Sequence, residues 1–374
     1  MRIVFLCGSL EPGRDGVGDY TKRLACELIR QGSEAAIVSL NDNFITEPLV
    51  VTEQIDEFVL QALRLSSTMS WKKRFEVAKE WIDKLSPNWL SLQYVPFSFN
   101  SKGLPFGFNR LVANLRKGTY LHVMFHELWV QGGYSFKMNI YASLQKMIIK
   151  QLKEELKPEV IHTHLPFFYL KLKKLNFDVK PLPLFSNVAV QKNERASHVD
   201  EVFRVGIFSH IDINQSIVNF LQNLKQIIHE DGILFEVLLI GENNQLKHFG
   251  NFLEGLDGFS NIVRYTGFLK SAAVSHAIQT CSIGLTSVKR HALGKSGTVA
   301  AFLSHQIPVA APCSCSDIND SKMGFFSNRI CKSIIINPDL SSINQAKIAT
   351  ETFGEEIEIS RIAETFLKDL CNSY

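Results

Sequence analysis

MRIVFLCGSLEPGRDGVGDYTKRLACELIRQGSEAAIVSL, residues 1–40, is the stretch from which the fold is read. Arg2-Ile3-Val4-Phe5-Leu6-Cys7 is apolar without alternation, the pattern of a strand covered on both faces in a parallel sheet. Gly8 to Gly18 then supplies a loop. Asp19 is placed to cap a helix whose Leu24, Leu28 and Ile29 share one face, and Gly32 ends it. Ala35–Leu40 reads as a second strand, which completes a strand–helix–strand unit of the kind that builds parallel sheets.

Outward from this unit the alternation continues. A helix is expected near Lys72–Leu85, strands at Trp89–Tyr94 and Tyr120–Phe125, a helix near Phe136–Leu156 and a strand at Val160–His164. Pro181 and Pro183 interrupt the pattern, Leu184–Val190 reads as a last strand, and Gln191 to Glu201 reads as a polar linker. A second series follows. Strands are expected at Arg204–Phe208, Phe235–Ile240, Asn261–Tyr265, Ile283–Val288 and Ile307–Ala311, with helices at Ser216–His229, Ser271–Thr280 and Ser296–Ser304. The fold class is therefore α/β, with two Rossmann-like, doubly wound domains facing a cleft, at 1–190 and 191–374. The amphipathic stretch Ile357–Leu370 is expected to form a terminal helix packing on one or both domains, including the N-terminal one.

Composition narrows the function classes. The 374 residues are 45% hydrophobic and 21% charged, a globular balance that excludes wholesale disorder. A net charge of +3 gives no indication of nucleic acid, and it permits anionic substrates or a membrane surface. Lys72-Lys73-Arg74 and Lys171, Lys173, Lys174 read first as solvated helix faces and secondly as a membrane-docking surface. Seven cysteines without framework spacing, and no secretory pattern in the first residues, point to a reduced cytoplasm. Cys7 and the pair Cys313 and Cys315 read as structural. No apolar run reaches membrane-spanning length, so membrane contact would be peripheral, at the inner face.

In open α/β sheets ligands bind beyond the carboxyl ends of the strands, and three segments fall there. Gly13 to Gly18 lies between strand and helix, where glycines admit close approach and the helix turns unpaired N–H groups toward a ligand; a purely structural turn fits the same residues. His126-Glu127 follows the strand Tyr120–Phe125, where a histidine can donate to a sugar or phosphate or move a proton, or can be satisfied by backbone. His162 and His164 end another strand and read as structural, with His164 the better site candidate. Lys289 to Thr298 joins a strand to a helix with Lys289, Arg290, Lys295, Ser296, Gly297 and Thr298 together; cations, hydroxyls and a helix N-terminus suit a diphosphate, and a solvated basic loop is the plainer reading. Gly294-Lys295-Ser296 also matches the end of a Walker A loop, but Lys289 stands at its first glycine. No Asp-x-Asp pair or His/Cys cluster has metal spacing, so a metal-independent reaction is expected, with no cofactor beyond a co-substrate.

Gly16-Val17-Gly18-Asp19-Tyr20 after a strand, Leu92-Gln93-Tyr94-Val95-Pro96, His126-Glu127, Gly241, Tyr265-x-Gly267-Phe268-Leu269, Lys295-Ser296-Gly297 and Ile307-Pro308-Val309 occur in an order that resembles glycosyltransferase family 4 and related GT-B enzymes. The resemblance spans most of the chain. It implies a nucleotide diphosphate sugar held mainly by the C-terminal domain, with Gly16, Gly18, Gly241, Lys289, Arg290, Lys295, Ser296, Gly297 and Thr298 as donor contacts. It implies a sugar or lipid-linked acceptor on the N-terminal domain near Val17, Asp19, Tyr20, Gln93, Tyr94 and Glu127, with His126 beside the transferred sugar. Two departures stand out. Glutamates common in the family fall on Leu293 and Ala301, and the first loop of the second domain, Ser209-His210-Ile211-Asp212 with Gln215, lacks the usual arginine and lysine. The expected activity is hexosyl-type transfer in polysaccharide or glycolipid assembly; a GT-B-like binding protein without catalysis and a sugar-nucleotide epimerase are the alternatives.

Overall fold

The computed structural model describes residues 1–55, 58–116, 118–130, 135–191, 202–314 and 324–373. The linker residues 192–201 and Cys315 lie outside the described residues. Contacts divide the chain into two units, unit 1 holding Met1–His164, Phe168–Leu182 and Ala363–Tyr374, and unit 2 holding Leu165–Phe167 and Pro183–Ile362.

The strands of unit 1 are β1 (Arg2–Cys7), β2 (Glu34–Asp42), β3 (Leu49–Ile55), β4 (Phe58–Ser66), β5 (Trp89–Tyr94), β6 (Tyr120–Phe125), β7 (Val160–Thr163) and β8 (Lys180–Pro181). The helices between them are α1 (Gly16–Arg30), α2 (Trp71–Leu85), α3 (Pro96–Phe99), α4 (Phe108–Leu115), α5 (Phe136–Leu156) and α6 (Pro166–Lys173). The sheet runs β3-β4-β2-β1-β5-β6-β7-β8, with every pairing parallel except that of β3 with β4. β1 and β5 are buried almost throughout, as their unbroken apolar runs require of central parallel strands.

Unit 2 repeats the plan with β9 (Val202–Phe208), β10 (Leu234–Ile240), β11 (Val263–Tyr265), β12 (Ile283–Leu285), β13 (Val309–Ala310) and β14 (Ile334–Ile335). Its helices are α7 (Gln215–Glu230), α8 (Asn244–Glu254), α9 (Ser271–Gln279), α10 (Gly297–Ser304), α11 (Asn328–Lys332) and α12 (Leu340–Thr352), and α13 (Ile359–Cys371) follows. The all-parallel order β11-β10-β9-β12-β13-β14 is the Rossmann order, whose winding reverses between β9 and β12. Gly284 in β12 permits the close approach of α10: a Cβ there would lie 2.5 Å from the Phe302 ring.

Several expectations change. Leu184–Val190 is not a strand. The Ser186 hydroxyl accepts from the Val188 amide at 2.9 Å and donates to the Val188 carbonyl, a local turn that competes with a ladder; the last strand is β8. The hairpin β3–β4 and helices α3, α4, α6, α8, α11 and α12 were not expected. Arg74 is buried, unlike its solvated neighbours Lys72 and Lys73, with its guanidinium 3.8 Å from the Trp71 ring centre and donating to the Leu40 carbonyl at 2.8 Å. Cys7 and Cys313 are buried free thiols, as read. Among the described residues no helix is long and apolar enough to cross a membrane.

Candidate functional site

The loop after β1 is closed by its own carboxylates. Asp15, rather than Asp19, caps α1: its Oδ1 accepts from the amides of Val17 at 2.9 Å and Gly18 at 3.0 Å. Asp19 lies in the first helical turn and accepts from the Gly13 amide at 3.1 Å. The amides of Val17 and Gly18 are therefore taken, that of Gly16 has no hydrogen-bond partner among the described residues, and the positive end of the helix already holds a negative charge. Gly18 has a packing reason, since a Cβ there would lie 2.4 Å from the Ser9 carbonyl oxygen. Beneath the loop, buried Asp42 accepts from Arg64 Nε at 2.8 Å and from the amides of Phe44 and Leu10, while Arg64 reaches Glu11 at 2.8 Å. Burial opposes the charge on Asp42, but these donors outweigh it and hold the carboxyl below its usual range.

Along β5, β6 and β7, from their carboxyl ends to their middles, side chains form a continuous polar chain within unit 1. His164 Nδ1 lies 2.9 Å from the Leu182 carbonyl and its Nε2 lies 3.0 Å from His126 Nδ1. His126 Nε2 lies 2.9 Å from Gln93 Oε1, and Gln93 Nε2 donates to Ser91 Oγ at 2.8 Å. Ser91 Oγ lies 2.7 Å from His122 Nδ1, and His122 Nε2 lies 3.0 Å from His162 Nδ1. His162 Nε2 meets Asp369 Oδ2 at 3.0 Å, and Lys180 donates to Asp369 Oδ1 at 2.7 Å. All four imidazoles are buried, and burial pushes each toward its neutral form, His164 to about 4. The bond from His162 holds the Asp369 carboxyl down at about 2.

This chain changes how His126 can act. It is only 7% exposed and both ring nitrogens have partners in the protein, so contact with a sugar or phosphate requires one of those bonds to be exchanged. Tyr20 and Tyr94, expected at an acceptor surface, are core residues at 2% and 1% exposure. Tyr20 stands edge-on to both His126 and His164, and Tyr94 to Phe125. Gly16 is exposed, and Val17, Asp19 and Glu127 are half-buried.

In unit 2 the segment 289–298 follows β12 at the switch point. Arg290 to Lys295 forms a short 3-10 helix, and Ser296 caps α10 by accepting from the Val299 amide. The Ser296 and Thr298 hydroxyls are 3.0 Å apart. The amides of Gly297 and Thr298 have no hydrogen-bond partner among the described residues, and a Cβ on Gly297 would meet nothing within 4 Å. Lys289 and Lys295 are exposed. Arg290 differs from the expectation: its guanidinium donates to the carbonyls of Ala311 at 3.3 Å and Pro312 at 3.2 Å, which ties the loop to the end of β13. Asp212 in the loop after β9 donates its amide to Ser287 Oγ at 2.9 Å, joining the two switch-point loops. Gly241, with φ +105, bridges to Gly267 and donates to Thr266 Oγ1 at 3.0 Å, so its role in the structure is a turn after β10. Leu293 and Ala301 are fully buried in the apolar core of unit 2.

Sequence reading missed Ser91, His122 and Asp369. His122 points inward from a strand that is apolar around it, and Asp369 lies 207 residues from its partner His162; no local pattern connects them. Asp15 carried a signal, an Asx residue followed by free amides two and three positions on.

Two Rossmann-like units in one chain, together with the solved structures that match it, place the chain in the GT-B fold class. No protein-family model matches the sequence, and no curated protein does. Among solved structures, Anabaena HepE in complex with UDP and glucose is 12% identical over 100% of both chains, with TM-score 0.61. The α,α-trehalose 6-phosphate synthase of Burkholderia multivorans is 11% identical over 99% of this chain and 96% of that one, with TM-score 0.61. A Listeria monocytogenes protein assigned as a UDP-N-acetylglucosamine 2-epimerase is 10% identical over 98% and 94%, with TM-score 0.56. At these identities the likeness is one of fold, and function is argued from the site.

Proposed function

We propose that this protein transfers a sugar, of hexose type, from a nucleotide diphosphate sugar to a hydroxyl acceptor in polysaccharide or glycolipid assembly. The observation that carries the proposal is the open N-terminus of α10 at the switch point of unit 2. In such a transfer the bond from the anomeric carbon to the diphosphate breaks, and the leaving group gathers negative charge. The amides of Gly297 and Thr298, the hydroxyls of Ser296 and Thr298, and Lys289 and Lys295 are the groups we assign to that charge. Fixed cations and a helix end can do this without a metal ion, so the reaction is written as metal-independent. The likeness to HepE bound to UDP and glucose makes uridine nucleotides the first donors to try.

The acceptor is assigned to unit 1, along Val17, Asp19 and Glu127, with His126 reaching the substrate by giving up its bond to Gln93. A cytoplasmic protein working on lipid-linked acceptors would meet the membrane peripherally. Phe136, Met138 and Ile140, 81%, 40% and 44% exposed at the start of α5, are the apolar residues proposed for that contact. The test is release of nucleoside diphosphate from a panel of donors and acceptors: release that needs both partners supports transfer, and none across the panel overturns it.

One observation favours a second reading, a GT-B protein that binds a nucleotide sugar without transferring it. Leu293 and Ala301 stand in the core where the resembling family carries glutamates, and Arg290 is committed to backbone carbonyls. Binding without release identifies that case. A new sugar nucleotide formed without an acceptor identifies epimerisation.

A further inference from the structure

The polar chain of unit 1 has an acceptor at each end, the Leu182 carbonyl and the Asp369 carboxylate. A neutral imidazole donates from one nitrogen and accepts at the other, a serine hydroxyl has a single hydrogen, and an amide such as that of Gln93 passes a donor in one direction for each orientation. With all four rings neutral, no group along the chain can donate to both of its neighbours, so the bonds cannot run outward to both ends. Both ends cannot then be satisfied, and one contact lacks a hydrogen.

Which end wins follows from charge. Asp369 is ionised and held by Lys180, and a carboxylate is a stronger acceptor than a peptide carbonyl. The bonds accordingly run toward it: His126 Nε2–H to Gln93 Oε1, Gln93 Nε2–H to Ser91 Oγ, Ser91 to His122 Nδ1, His122 Nε2–H to His162 Nδ1, and His162 Nε2–H to Asp369. Gln93 is turned the way this direction needs, with Oε1 facing His126 and Nε2 facing Ser91. The contact without a hydrogen falls at the far end, among His126 Nδ1, His164 and Leu182.

We propose that Asp369 is a positioning residue that sets the Nε2–H tautomer of His126 through the relay Gln93, Ser91, His122 and His162. His126 then meets a ligand oxygen as a hydrogen-bond donor from Nε2, on exchange with Gln93, and not as a proton-abstracting base at that nitrogen. The tautomer assignment does not rest on the transferase reading.

The test is nuclear magnetic resonance of the full chain labelled with 15N-histidine, without substrate, above the ordinary histidine pKa of about 6.5. The His126 ring is assigned by its loss in His126→Gln. The wild type is expected to carry the His126 proton on Nε2. In Asp369→Asn the new amide can donate to His162 Nε2; the chain is then fully satisfied in the reverse direction, and the proton is expected to move to His126 Nδ1. Asp369→Glu, which keeps the carboxylate, is expected to retain Nε2–H. A wild-type Nδ1–H at His126, or an unchanged tautomer in folded Asp369→Asn, overturns the proposal. Should Asp369→Asn fail to fold, the wild-type tautomer decides alone. Failure of the transferase reading would leave these spectra unchanged, so the two can fail separately.

Discussion

Asp15 and Ser296 each cap a helix on the carboxyl side of a switch-point strand, one with a carboxylate and one with a hydroxyl. The carboxylate fills the end of α1 with negative charge, whereas Ser296 leaves two amides of α10 for a ligand. This difference between the caps is why we propose phosphate binding at α10 rather than at α1. Lys295→Ala should weaken nucleotide diphosphate sugar binding by about 1.5–3 kcal/mol, the range for a charge-assisted contact, read by calorimetry; unchanged affinity removes Lys295 from the site. Asp15→Ala should cost about 0.5–2 kcal/mol of stability in urea, the usual cost of losing an N-cap. At this scale the sequence named the basic loop and the strand-end histidine as places of interest. It could not show that Arg290 binds carbonyls from β13 or that His126 has both nitrogens taken, because those partners lie elsewhere in the chain.

The elements were legible where periodicity is strong. β1, α1 and β2 follow from the first 40 residues, since an unbroken apolar run, an amphipathic face and a second apolar run admit few other arrangements. The β3–β4 hairpin was not read because its edge strand leaves Leu49 and Val50 half exposed, which blurs the apolar pattern. α8 did carry a signal, with Asn243 as cap and Leu246, Phe249 and Leu253 on one face, spaced as a helix requires. How closely the elements pack was invisible without coordinates. Gly18 shows this: in the first turn of α1 it passes so near the Ser9 carbonyl that a methyl group has no room. Gly18→Ala should destabilise unit 1 by about 1–3 kcal/mol, the cost of overpacking, measured by urea unfolding; a neutral effect would show that α1 can shift without loss.

Across the whole molecule, the last residues belong to the first unit. Phe366 is fully buried there, 6.1 Å from the Phe5 ring centre, and Asp369 ends the histidine chain, so unit 1 is completed only when residues 363–373 have been made. The same chain gives stability a pH dependence. Burial lowers the folded-state pKa of His122, His126, His162 and His164, so their contribution is full above the unfolded value and lost as pH falls through the folded ones, from about 6.5 toward about 4 for His164. Asp369, depressed to about 2 from an ordinary value of about 3.9, acts in the same direction at lower pH. The urea midpoint of unit 1 should fall from neutral pH toward pH 4, and a flat profile would mean that the imidazoles are not buried neutral. The paired-domain plan was readable because strand and helix alternate twice. The closing of unit 1 by α13 depends on contacts that no local pattern encodes.

Nucleotide sugar binding at the open end of α10 is the central requirement for sugar transfer by this protein. The direct measurement is a thermal-shift screen of uridine, guanosine and adenosine diphosphate sugars on the wild type and on Lys289→Ala/Lys295→Ala, because a ligand bound only by the folded state raises Tm. The predicted result is a concentration-dependent rise with at least one donor, lost in the double variant. No rise with any donor, or an equal rise in both proteins, would contradict it.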